Sequence, residues 1–397
     1  MSAMKRLFQI MADKKASDIF LSVGSPINIK LNGVAMPVNQ AVMTAETVQQ
    51  LLYEVLNERQ IKEFEDEMEL NTAYNLAGVG TFRISAMRQK GSPAVVVRYI
   101  PGTIPSLDSL GVPEVLKEII MGKRGLILMV GATGSGKSTS LSAMLDFRNE
   151  RKSGHILTLE DPVEFIFQNK KSIVNQREVG TDTKAFETAL KNALRQAPDC
   201  ILIGEIRDKQ TMGMALAYAQ SGHLALATLH ANNSYHAMNR IISFYPLENR
   251  PTLLLDLSAA LQAIVSQRLV RTKTGARRAA VEVLLNTRHI AELIEKGDVN
   301  EIKDAMEKSM APGSQTFEQS LFKMFMEGLI TQEECMANAD SATNMLWLIN
   351  QATAGSISSA PIGATVAGDR KDEPKDAFAN TAGPGASFSD FKIDATT

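Results

Sequence analysis

The chain has 397 residues, enough for two or three domains and for a full hydrophobic core without disulfides or structural metals. Its 42 Lys and Arg against 44 Asp and Glu leave a net charge of −2, which argues against a protein built mainly to coat nucleic acid, though not against a local basic groove. Only two cysteines occur, Cys200 and Cys335, without metal-ligand spacing, so a disulfide framework and a zinc site are both excluded. The opening MSAMKRLFQIMADKK lacks the apolar core and cleavage site of a secretory signal. No stretch approaches the roughly 18 continuous apolar residues of a membrane span. The expectation is a soluble, cytosolic, multidomain chain.

Apolar spacing at Leu7, Ile10 and Met11 predicts an opening helix, followed by an alternating run over Asp18–Val23. Asn32-Gly33 between apolar runs predicts a hairpin. Thr44 to about Met68 is free of Gly and Pro and rich in Glu, Gln and Leu, which predicts one helix or two consecutive ones. GVGTFRISAMRQ and SPAVVVRYI then alternate as two strands around a turn at Lys90-Gly91. The next stretch, Tyr99–Pro113, carries three prolines and two glycines and reads as an interdomain linker.

Beyond it, short apolar runs at Gly125–Val130, His155–Leu159, Asp199–Ile203 and Leu224–Leu229 alternate with helical patterns. That alternation predicts a mostly parallel, doubly wound sheet covered on both faces. After Asn350 the composition collapses: 28 of the 47 residues of Gln351–Thr397 are Ala, Gly, Pro, Ser or Thr. Such a segment buries too little apolar surface to offset its chain entropy and is expected to be disordered. The expected domains are therefore 1–98, a linker at 99–113, 114–350, and a tail at 351–397. No internal repeat is evident.

The sharpest chemical signal is Gly131-Ala132-Thr133-Gly134-Ser135-Gly136-Lys137-Ser138, a complete G-x-x-x-x-G-K-[ST] loop followed by Thr139. An apolar strand ends at Val130 and a helix-forming stretch begins near Ser138, which is the context the motif requires. Its glycines let main-chain N–H groups turn inward around phosphate oxygens, and the following helix N-terminus adds to the attraction. Lys137 would bridge the β- and γ-phosphates of ATP, and the Ser138 hydroxyl would ligate Mg²⁺.

Asp199-Cys-Ile-Leu-Ile-Gly-Glu205 is a second apolar strand ending in an acid, the arrangement with which such proteins orient Mg²⁺ and its water. Leu159-Glu160-Asp161-Pro162-Val163-Glu164 places three carboxylates within five residues just after a predicted strand, where the ligand crevice of a doubly wound sheet opens. His223 and His230 flank the strand Leu224–Leu229; His230, at its end, fits either a satisfied core histidine or a γ-phosphate contact.

GATGSGKST, TLEDPVEF, VNQREVG, ALRQAPDCILIGEIRD and SGHLALATLH resemble, in order and spacing, the Walker A, Asp-box, Walker B and His-box of the secretion ATPases. The similarity runs from about residue 1 to 350 and is nearest to the type IV pilus retraction ATPases, the PilT/PilU family. The resemblance implies an N-terminal PAS-like α+β domain, a RecA-like ATPase domain and a hexameric ring at the inner membrane. It makes Glu164 the general base, Glu205 the Walker B acid, and His230 the histidine near the γ-phosphate. Arg83 in GTFRIS and Arg98 in VVVRYI, on adjacent predicted strands, match the small-domain arginines that reach the nucleotide.

One departure is informative. His289-Ile-Ala-Glu-Leu-Ile294 stands where the retraction motor proper carries Ala-Ile-Arg-Asn-Leu-Ile, so Ala291 replaces the arginine. The end of the folded part and the long tail also resemble the accessory PilU-type branch. The resemblance thus implies an ATP-hydrolysing motor that works with a PilT-type ATPase and an inner-membrane pilus platform protein, without nucleic acid and without a transmembrane segment. A pilus-assembly or type II secretion ATPase would carry paired CxxC zinc ligands and extra N-terminal domains. A nucleotide-binding partner that braces a motor without turnover is the other alternative, against which the intact Lys137, Glu164 and Glu205 argue. A helicase lacks support, since no basic or aromatic strip is evident.

Overall fold

The structure, a computed structural model, describes residues 2–31 and 33–357. The small N-terminal part opens with helix α1 (Ala3–Lys14), then strands β1 (Asp18–Ser22), β2 (Pro26–Leu31) and β3 (Val34–Val42). Helices α2 (Ala45–Tyr53) and α3 (Glu58–Glu67) follow, with strands β4 (Glu69–Leu76), β5 (Gly80–Gln89) and β6 (Ser92–Pro101). The long Gly-free stretch is two helices because Asn57 interrupts it: its side chain accepts from the Gln60 amide while the Gln60 side chain returns to the Asn57 amide, a capping box that starts α3.

The six strands pair antiparallel in the order β3-β2-β1-β6-β5-β4. Phe8 of α1 stacks on Phe82 of β5 at 4.0 Å between ring centres, and Phe82 on Tyr99 of β6, so aromatic packing fixes the helix on the sheet. Strand β4 is additional to the pattern-based expectation; its exposed Glu69 and Asn71 alternate with the buried Leu70 and Thr72.

The Pro/Gly-rich stretch is more ordered than a bare linker. Strand β6 extends to Pro101, and helix α4 (Leu107–Leu110) sits inside the segment with Leu107 buried. Helix α5 (Val115–Ile120) leads into β7 (Gly125–Val130), α6 (Lys137–Arg151), β8 (Gly154–Glu160), β9 (Ser172–Glu178), α7 (Phe186–Ala193) and β10 (Cys200–Ile203). Next come α8 (Lys209–Gln220), β11 (Leu224–Leu229), α9 (Ser234–Ser243), α10 (Arg250–Ala260) and the long pair β12 (Leu261–Arg271) and β13 (Arg277–Leu285). Helices α11 (Arg288–Lys296), α12 (Ile302–Glu307), α13 (Phe317–Met326), α14 (Gln332–Asn338) and α15 (Ala342–Ile357) complete the described chain.

The second sheet has the order β13-β12-β7-β11-β10-β8-β9, parallel except for β13. Strand β7 is buried at every residue, and its side chains divide between two cores: Leu126, Leu128 and Val130 on one face, Ile127 and Met129 on the other. That division is the signature of a parallel sheet covered on both sides by helices, as the α/β expectation required. Strands β9, β12 and β13 are additional to the four strands read from the sequence. Helix α15 carries on past Asn350 to Ile357, so the first residues of the expected tail are helical; the remainder of that expectation lies outside the described residues. Among the described residues no helix is long and apolar enough to cross a membrane.

Candidate active site

The loop Gly131–Gly136 joins the buried end of β7 to α6. Two of its glycines are sterically required. A Cβ on Gly131 would stand 2.5 Å from Ser135 Oγ and 2.6 Å from the Gln267 carbonyl oxygen, and one on Gly136, at φ 87°, would stand 2.7 Å from Gln267 Nε2. Gly136 caps α6 and offers no side-chain acceptor, so the first-turn amides of the helix remain available to an anion.

Gln267 of β12 is a residue that motif reading missed. It is buried, donates from Nε2 to the Ser135 carbonyl at 2.8 Å, and accepts at Oε1 from the Ser140 hydroxyl at 2.7 Å. One side chain thus ties the loop to the helix that follows it. No local signal could reveal it, because it lies more than a hundred residues along the chain.

Lys137 is 8 % exposed and donates from Nζ to the carbonyls of Gly131 at 2.7 Å and Ala132 at 2.9 Å. Burial lowers the pKa of its ammonium, while the carboxylates of Glu205 and Glu164 pull it upward. Two acids from separate strand ends therefore bear on one lysine. Ser138 and Thr139, half-buried, open α6, and the buried Ser135 Oγ has no hydrogen-bond partner.

Glu164 emerges from the loop after β8, in which Val163, Phe165 and Phe167 are buried while Glu164 is half-buried and Ile166 exposed. The inward apolar residues leave the acid on the opposite side of the loop. Glu160, the last residue of β8, is in a different environment. Burial pushes its carboxyl up to about 7, against hydrogen bonds from Thr158, Gln176 and the Glu164 main chain, and the Glu164 charge pushes the same way. Glu160 is thus held in a polar cage, with Thr158 Oγ1 donating to it at 2.6 Å.

Glu205 lies two residues beyond β10. Its Oε1 stands 3.5 Å from His230 Nε2, and its Oε2 accepts from Arg207 Nε at 2.7 Å. Arg207 also approaches the Asp161 carboxylate at 3.9 Å, so it spans the acids at the ends of β10 and β8. Its place two residues after Glu205 was visible in the sequence, but nothing there marked it as a bridge. Of the two histidines, only His230 joins this group. His223 lies at the opposite end of β11, where it meets Ser221 Oγ at 3.1 Å and packs edge-on against Tyr218.

Arg83 and Arg98 are direct partners in the register of β5 and β6, so both project from one face of the small sheet. Arg98 Nε forms an ion pair at 3.0 Å with the buried Asp18. Among the described residues no hydrogen bond or ion pair joins either arginine to the Gly131–Thr139 loop or to the acids around it. One hydrogen bond does run from the part holding the first sheet to the part holding the second: Arg59 Nη2 donates to the Gly180 carbonyl at 3.0 Å.

Residues 2–337 match the family model described as "Type II/IV secretion system protein". The type IV pilus ATPase PilU of Pseudomonas aeruginosa is 47 % identical over 87 % of this chain and 91 % of its own length. The type IV pilus retraction ATPase PilT of the same organism is 38 % identical over 85 % of this chain and 98 % of its own. A crystal structure of the pilus retraction motor PilT with bound ADP superposes with a TM-score of 0.80 at 37 % identity, covering 87 % of this chain and 99 % of that one.

Proposed function

This chain belongs to the type II/IV secretion system protein family, and we propose from that premise that it is an ATP-hydrolysing motor of the type IV pilus that powers or assists retraction. The observation that carries the catalytic reading is the complete phosphate-binding loop with its buried lysine, Lys137, held on the Gly131 and Ala132 carbonyls while the charges of Glu205 and Glu164 act on it. Gly131 to Gly136 and the uncapped start of α6 would cradle the phosphates of ATP, with Lys137 turning from its own loop carbonyls to the β- and γ-phosphates. The partnerless Ser135 Oγ fits a bound polyphosphate.

Among the described residues no group of three or more His, Cys, Asp or Glu side chains is disposed to hold a metal by itself. That suits Mg²⁺, which is usually held by one or two protein groups together with substrate phosphates; Ser138 and Glu205 would supply them, and the ion would neutralise phosphate charge. Glu164 takes the proton of the attacking water. His230, already beside Glu205, faces the departing phosphate. Arg83 and Arg98 complete the charge when the small domain closes on the nucleotide. Like charges directly opposite in a sheet repel, and Asp18 offsets the Arg98 charge at 3.0 Å.

Within the family, the accessory PilU-type role is supported by the greater identity to PilU than to PilT and by Ala291 on α11, where the retraction motor proper has arginine. We place the chain as a homo-hexamer on the cytoplasmic side of the inner membrane, beside a PilT-type ATPase and a pilus platform protein. The test is retraction force measured in cells lacking this chain, with and without the PilT-type partner. Loss of force only under load supports the accessory role, and unchanged force in both backgrounds overturns it.

A further inference from the structure

The loop 161–167, which carries Glu164, has no helix or strand of its own, yet strand β9 holds it along its length. Gln176 accepts at Oε1 from the Phe167 amide at 2.8 Å and donates from Nε2 to the Phe165 carbonyl at 2.7 Å. The same nitrogen reaches the Glu160 carboxylate at 3.3 Å. Glu178 accepts at Oε2 from the Val163 amide at 3.0 Å and at Oε1 from the Thr181 hydroxyl at 2.9 Å.

Residues two apart in a strand point to the same face, so Gln176 and Glu178 form a pair of props. The parallel register sets Gln176 beside Thr158 and Glu178 beside Glu160, bringing the props to the point where the loop leaves β8. Glu164 is bracketed: the residue before it is tied by Glu178, and the residue after it by Gln176. We propose that Gln176 and Glu178 are positioning residues that fix the Glu164 carboxylate for the chemical step. The assignment rests on the reading of Glu164 as the general base.

Neither prop has a hydrogen bond to the phosphate-binding loop, so their loss should separate chemistry from nucleotide binding. Misplacing a catalytic group by about 1 Å can cost on the order of 100-fold in rate. The two props differ in what they need. Gln176 must both donate and accept, whereas Glu178 only accepts, and an amide there could still accept from Val163 while donating to Thr181.

The experiment compares full-length wild type, Gln176→Leu, Glu178→Ala, Glu178→Gln and Glu164→Gln by ATP turnover, ADP affinity and amide hydrogen exchange. In Gln176→Leu and Glu178→Ala, exchange should accelerate at 163–167 and not elsewhere. Their kcat should fall about 10- to 100-fold, with KM and ADP affinity within about threefold of wild type. Glu178→Gln should recover most of the turnover that Glu178→Ala loses. Wild-type exchange at 163–167 in both disrupting variants overturns the proposal whatever the role of Glu164. So does a loosened loop with undiminished kcat in a protein that Glu164→Gln inactivates, or a Glu178→Gln variant as slow as Glu178→Ala. Wild-type turnover in Glu164→Gln itself removes the general-base reading, and the positioning assignment falls with it.

Discussion

Arg59 of α3 donates to the main-chain oxygen of Gly180 at 3.0 Å, across 121 residues of sequence. Gly180 stands just past the end of β9, two residues beyond Glu178. The part holding the first sheet therefore meets the turn that follows β9, whose side chains bond the 161–167 loop. Both residues are exposed, and a single exposed hydrogen bond contributes little net stability, about 0.5–1.5 kcal/mol. A contact of that strength can be made and broken as domains move.

Lys137→Ala should abolish ATP hydrolysis. The lysine supplies a preorganised positive group to the transferred phosphoryl, and losing one such donor typically costs ~10²–10³ in rate. Steady-state phosphate release by the purified protein is the measurement. Turnover near the wild-type rate would show that the loop does not bind the reacting phosphates.

Glu164→Gln should bind ATP and hydrolyse it poorly, since an amide can orient water but cannot accept its proton. Nucleotide affinity and single-turnover hydrolysis measured on the same preparation separate the two effects. If affinity falls as steeply as rate, Glu164 is part of the binding framework and not the base.

Arg83→Ala and Arg98→Ala should slow hydrolysis while leaving assembly and ATP binding intact. Arginines of this kind stabilise transition-state charge and can be worth ~10³–10⁵ in rate. The two variants differ in one respect: Arg98→Ala also strips the ion pair from the buried Asp18, so it alone should lower the melting temperature. Mixing either with Glu164→Gln chains tests whether the arginines serve their own site or a neighbour's. Wild-type turnover in both single variants would make the small domain a docking surface only.

Stability should fall as pH rises from about 4.5 to about 7, because Glu160 holds its proton in the folded chain up to about 7 while the unfolded chain ionises near 4.5. Below that window the carboxyl is protonated in both states and costs nothing. Above it the folded protein carries a half-buried, poorly solvated charge at a penalty on the order of 3 kcal/mol at most. Glu160→Gln, which keeps an acceptor for Thr158, should flatten this part of the pH–stability profile. An identical slope in wild type and variant would assign the titration to another group.

The glycine-rich loop, its flanking strand and helix, and the two acids at the ends of β8 and β10 were legible because each is a local pattern in the chain. The paired arginines were legible for a related reason, since strand alternation and a two-residue turn fix their register. Strand β12 was not, because it follows α10 without a Gly or Pro break and Leu261 leaves the helix directly into the sheet. Strand β9 carries the polar run Asn175, Gln176, Arg177 and Glu178, which lacks the apolar stretch that marked the other four strands. Gln267 and Arg207 act through contacts that only the folded chain creates.

Strand β7 has another consequence. It lies third from one edge of a seven-stranded sheet and is covered on both faces, so its hydrogen bonds open only when most of the large domain unfolds. The loop at its end is correspondingly a stiff mount. The Gly180 turn, just past the end of the edge strand β9, and the single Arg59 hydrogen bond it accepts lie instead at the periphery. With the phosphates held at the proposed loop, a mount of that stiffness would take up little of their binding free energy as deformation. Displacement would then fall to the periphery of the sheet, on the side of the Gly180 turn.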